Sequence, residues 1–102
     1  MADTGYLDKL YHIVDTLNAR FPDGVTPFQV VARLCEETGE LAAAVTHFEG
    51  TGIKREKYGE PDLAALAKEV QDVLGAALFI ARYYGIEDYP RASIDESYPR
   101  FI

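Results

Sequence analysis

Apolar residues return along most of this chain at intervals of three and four, the spacing of one face of a helix. The first series is Tyr6, Leu7, Leu10, Tyr11, Val14 and Leu17. It predicts a helix that runs to about Ala19, capped by Asp3 or Thr4. Phe21-Pro22-Asp23-Gly24 then has turn chemistry. Thr26-Pro27 restarts a helix, with threonine as cap and proline at the first helical position. Gln29 stands three residues after Thr26, as a capping box requires. This second helix is expected to turn Phe28, Val31, Leu34, Leu41, Val45 and Phe48 inward and to stop near Glu49-Gly50-Thr51-Gly52. The polar stretch from Gly50 to Glu60 reads as a loop. Pro61-Asp62 opens a third helix with the stripe Leu63, Leu66, Val70, Val73, Ala77, Ile80 and Tyr84, and Gly85 suits its C-cap. From Ile86 to Ile102 the pattern allows a short fourth helix around Arg91 to Ser97, or an extended tail. With no strand alternation, the expected fold is all-α. It is a single domain over residues 1–102, a bundle of three main helices plus a short C-terminal segment, completed by oligomerisation.

Composition narrows the setting. A chain of 102 residues buries only a little over ~60% of its unfolded surface, so long amphipathic helices in it need a partner to cover the exposed seam. The formal net charge of -7 argues against a surface built for nucleic-acid phosphates. A small phosphorylated substrate stays open, because a bound cation reverses the local field. Cys35 is the single cysteine, which rules out an intrachain disulfide and suggests a reducing interior. Met1-Ala2-Asp3-Thr4 lacks a basic start and an apolar run, and no stretch approaches the ~20 apolar residues of a membrane span. The expected setting is cytoplasmic, away from membranes. Cys35 should pack as a small apolar residue. Tyr6, Tyr11, Phe28 and Phe48 should form core or subunit contacts, and His12 and His47 are expected to be structural or exposed.

Two acidic pairs carry the chemistry. Glu37 and Glu40 follow Leu34, and Glu69 and Asp72 follow Leu66. Each pair is spaced i, i+3 and begins three residues after a leucine of its stripe, so both sit at the same phase on their helices. Carboxylates gathered at an apolar seam repel one another unless a cation lies between them. Mg²⁺ prefers such oxygen ligands, and Mn²⁺ suits the same set. Zinc is disfavoured, since no His or Cys shares the motif at ligand spacing. Ala44 and Ala76, one turn past each pair, leave space above the carboxylates. Metal on carboxylates alone suits phosphate chemistry, through charge neutralisation and acidified water. Glu36, beside Glu37 but rotated toward solvent, is placed to accept a proton from an attacking water. Lys54, Arg55 and Lys57 on the following loop, together with Arg82, are the candidates for holding phosphates.

The pattern Glu36-Glu37-x-x-Glu40, then Glu69-x-x-Asp72, resembles the MazG-like all-α nucleoside triphosphate pyrophosphohydrolases, whose members read EExxE followed by ExxD. Leu34, Gly39, Leu41 and Val73-Leu74 look similar too, so the resemblance covers roughly the second and third helices. It implies Mg²⁺ on Glu37, Glu40, Glu69 and Asp72, and Glu36 as the base. It implies hydrolysis between the α and β phosphates to a monophosphate and pyrophosphate, by attack of a metal-activated water. It also implies a homodimer or homotetramer with sites near helix seams. Two other readings of the same residues are a catalytically weak metal-binding interaction or regulatory module, and the related phosphoribosyl-ATP pyrophosphohydrolase. A purely structural acidic bundle is a third.

Overall fold

A computed structural model describes residues 5–23, 25–50 and 53–102, without the side chains of residues 53–55. Five α-helices and a short 3₁₀ turn make up these residues, with no strand among them. They are α1 (Gly5–Arg20), α2 (Pro27–Glu49), α3 (Ile53–Tyr58), α4 (Leu63–Tyr83) and α5 (Tyr89–Ser97), followed by the 3₁₀ turn Tyr98–Phe101. The all-α expectation holds. The proposed caps Asp3 and Thr4, and Gly24, Thr51 and Gly52, lie outside the described residues.

Local chemistry sets the helix ends. The Gln29 amide donates to Thr26 Oγ1 at 3.2 Å, and Gln29 Oε1 accepts from the Thr26 amide at 3.1 Å. Both halves of the capping box are therefore formed, and Pro27 follows in the first turn. Asp62 caps α4 by accepting from the Ala64 amide at 3.0 Å. At the other end of α4 the Ile86 amide donates to Ala81 O and the Gly85 amide to Arg82 O. That is the Schellman arrangement, and it needs the positive φ of 68° that Gly85 adopts.

Helix α4 is the hub, packing against both α1 and α2. Val14 of α1, Val30 of α2 and Phe79 of α4 form the small core, with Ile80 and Tyr83 against it. The Tyr11 hydroxyl donates to Glu87 O at 3.0 Å, tying the turn after α4 back to α1.

Four expectations need correction. The polar stretch 50–60 is not all loop: Ile53–Tyr58 forms α3, because Lys, Arg and Glu are good helix formers even without an apolar stripe. The α2 stripe is covered only in part, with Leu34, Leu41 and Phe48 half-buried. Phe28, Val31 and Val45 are exposed, Phe28 at 88%, and Val30 is the buried residue. In α4, Leu63, Val70 and Tyr84 are exposed while Ala76, Phe79 and Ala81 are buried. Periodicity defines an apolar face, but the two neighbours of α4 decide which part of it is covered. Cys35 is exposed rather than packed; of the aromatics expected in core or subunit contacts, Tyr11 is in the core, and Tyr6 and Phe28 are on the surface of the single chain.

Candidate active site

The acidic pairs sit on the two longest helices, which pack against each other. Glu37 and Asp72, one from each helix, line the same cleft of about 130 Å³. Leu10, Ile13, Val14 and Leu17 of α1 give the cleft an apolar wall, and Asn18, Arg33, Lys68 and Gln71 add polar groups. Gly75, Ala76 and Phe79 complete the lining. The small Gly75 and Ala76 keep space open where a larger side chain would close it. Glu36 and Glu40 are exposed beside Glu37.

The electrostatics are those of uncompensated negative charge. The Glu37 carboxyl is pushed above its ordinary 4.5, first by desolvation and then by Glu40, Asp72, Glu69 and Glu36. The α2 and α4 carboxylates thus feel one another across the helix pair. Glu69 Oε2 is buried with no hydrogen-bond partner, and an orphaned carboxylate oxygen among like charges is a place where a cation would be held. One ammonium is already there: Lys68 Nζ donates to Asp72 Oδ1 at 2.7 Å. That hydrogen bond, then the Asp72 charge, raises the Lys68 pKa. Among the described residues no three of His, Cys, Asp and Glu stand together closely enough to hold a metal ion. The donor set, its charge and the orphaned oxygen fit a hard divalent cation. Closing the carboxylates on one requires their side chains to turn.

The basic candidates are dispersed. Arg82 lies in a second cleft, between α1 and the α4–α5 turn. There it donates to Asp15 at 3.0 and 2.9 Å, pairs with Glu87 at 3.2 Å and stacks on the Tyr11 ring. The structure does not bring it to the carboxylates. Arg91 pairs with Asp8 in that same cleft. Lys57 is exposed, with its ammonium over the Tyr58 ring. The side chains of Lys54 and Arg55 lie outside the described residues. His12 lines the second cleft, and His47 Nε2 bonds Gly59 O at 2.8 Å, anchoring the α3 segment to the end of α2. The cations that do line the acidic cleft are Arg33 and Lys68, neither among the residues the sequence pattern singles out. A signal for them existed: each stands four residues before a carboxylate, Glu37 or Asp72, and so on the same helical face.

Residues 25–92, more than half of the chain, match the family model described as the MazG nucleotide pyrophosphohydrolase domain. No curated protein and no solved structure matches the chain.

Proposed function

The chain belongs to the MazG nucleotide pyrophosphohydrolase family, and we propose that it hydrolyses a nucleoside triphosphate between the α and β phosphates, releasing the monophosphate and pyrophosphate. The observation that carries this reading is Glu37 and Asp72, from two helices, facing one cleft whose far wall is apolar. Glu37, Glu40, Glu69 and Asp72 would hold Mg²⁺, or Mn²⁺ in its place. Such a cation neutralises phosphate oxygens and acidifies water. Glu36, exposed one residue before Glu37, accepts the proton of the attacking water. Arg33 faces the phosphate chain from inside the cleft, and the Lys54, Arg55 and Lys57 of the sequence pattern stay as candidates for further phosphate contact. The α1 wall of Leu10, Ile13 and Leu17 receives the base. A reducing, cytoplasmic setting suits both the substrate and the lone cysteine.

We further infer that the working unit is a homodimer or homotetramer. The radius of gyration is 16.3 Å, against about 13 Å for a compact chain of this length. Phe28, Val31, Leu63 and Leu74 lie exposed on α2 and α4, apolar area that a second copy would cover.

The test is pyrophosphate release from a panel of ribo- and deoxynucleoside triphosphates and phosphoribosyl-ATP, with Mg²⁺ or Mn²⁺ and an EDTA control. Metal-dependent release with monophosphate as coproduct is expected. Glu69→Ala or Asp72→Ala should abolish it with helical content intact, and full activity in either variant would sink the assignment. The regulatory-module reading draws on the missing phosphate anchors, since Arg82 is tied to Asp15 and Glu87 away from the carboxylates. It predicts that metal raises the melting temperature and that nucleotide adds nothing.

A further inference from the structure

Lys68 makes a contact that adds little to the stability of its helix. It stands one turn before Asp72 and donates to it at 2.7 Å, with the two side chains 61% and 28% exposed. A base placed N-terminal to its acid at i, i+4 is the weaker order for a helix pair, and exposed pairs contribute little. Its surroundings give it another use. Glu69 is its chain neighbour, and Glu37 and Asp72 line the same cleft. The other cation of the cleft, Arg33, lies over the Phe79 ring, 5.7 Å from its centroid. Among the described residues, Lys68 is the cation that bonds the acidic set. It neutralises that set only in part, since a single ammonium engages Asp72 and leaves Glu69 Oε2 without a partner. Its flexible four-carbon stem lets the ammonium swing while staying within the cleft.

We propose, building on the metal-dependent reading above, that Lys68 is a displaceable counter-cation. It holds Asp72 while no divalent cation is bound, and passes to the phosphate chain of the substrate when Asp72 exchanges the ammonium for the metal. One side chain then has two effects of opposite sign: it weakens metal binding before substrate arrives and strengthens substrate binding afterwards.

Lys68→Met removes the charge and keeps the stem. Calorimetric titration with Mn²⁺ alone should show tighter binding, by up to about fivefold, the equilibrium equivalent of losing an exposed ion pair. The gain should vanish in the Asp72→Asn background, because Lys68 acts through that carboxylate. At saturating Mn²⁺ the KM for the best nucleotide of the panel should rise about tenfold, as for a lost charge-assisted hydrogen bond, with kcat little changed. Circular dichroism checks the fold, which a change at this exposed position should leave intact. Unchanged Mn²⁺ affinity in Lys68→Met overturns the proposal, as does a gain that persists in Asp72→Asn or a KM that does not move. Absence of Mn²⁺ binding in wild type and Lys68→Met alike defeats the metal reading itself, and the proposal with it.

Discussion

Replacing Glu69 by glutamine should make this protein more stable without metal and less stable with it. Glu69 Oε2 is buried with no partner, and the Glu69 charge helps push the Glu37 carboxyl upward. An unsatisfied buried polar group costs about 1–3 kcal/mol. The Glu69 side chain is only half-buried, so the lower end, about 1 kcal/mol, is the expected relief. Glutamine keeps the shape and gives neighbouring carboxylates a donor. For a domain of this size about 1 kcal/mol raises Tm by roughly 4–8 °C. Metal reverses the order. Wild type at a metal concentration 100 times Kd gains about 2.7 kcal/mol. If the variant binds ~100-fold more weakly, the same concentration only equals its Kd, and the gain falls to about 0.4 kcal/mol. Melting curves followed by circular dichroism, at one protein concentration in EDTA and in Mn²⁺, should therefore cross: variant higher in EDTA, wild type higher in Mn²⁺. A variant that melts below wild type in EDTA, or an equal Mn²⁺ shift in both, refutes the reasoning.

Further expectations follow from single contacts. The folded Glu37 carboxyl titrates above its ordinary 4.5, so on acidification the native state takes up that proton before the unfolded chain does. This contribution to stability is fully present below 4.5 and is lost as pH rises through the elevated value. In EDTA the stability advantage of Glu37→Gln over wild type should thus shrink as pH falls from neutrality toward 4.5; an advantage constant across that window contradicts the assignment. Val30, 2% exposed, loses two carbons in Val30→Ala and leaves a void, which should cost about 2–3 kcal/mol, seen as a lower urea midpoint at unchanged slope. Gly85→Ala places a Cβ at a φ of 68° and should cost about 1–2 kcal/mol by the same measurement.

Helix ends were legible in the sequence because short-range chemistry decides them. Thr26-Pro27 with Gln29, Asp62 before α4 and Gly85 after it each satisfy backbone groups within a few residues. The buried faces were less legible. Ala76 and Phe79 lie to one side of α4, and Ala81 about 140° round the helix from Ala76. All three are buried, because α1 and α2 both pack on α4. No pattern within α4 states which neighbours it has. The phase-matched acidic pairs were visible because helix geometry is local. The apolar wall of their cleft was not, since it comes from α1, a contact made across more than fifty residues of chain.

Charge pairing also explains why Arg82 does not reach the acidic cleft. Arg82 follows the acidic motif in sequence and looks available, and Arg91 lies beside it in the second cleft. In the fold they are matched to Asp15, Glu87 and Asp8, where they pin α1 to the α4–α5 turn. Freeing either to meet a substrate would break a tertiary tie and leave its carboxylate partners unpaired. The Lys68 bond to Asp72 carries no such burden, because both residues belong to one turn of α4 and their pairing ties no second element. A cation that must change partners during a reaction cycle is best drawn from a pair of this kind. By that criterion Lys68, together with Arg33 on its aromatic shelf, outranks Arg82, whose position in the sequence first suggested the role.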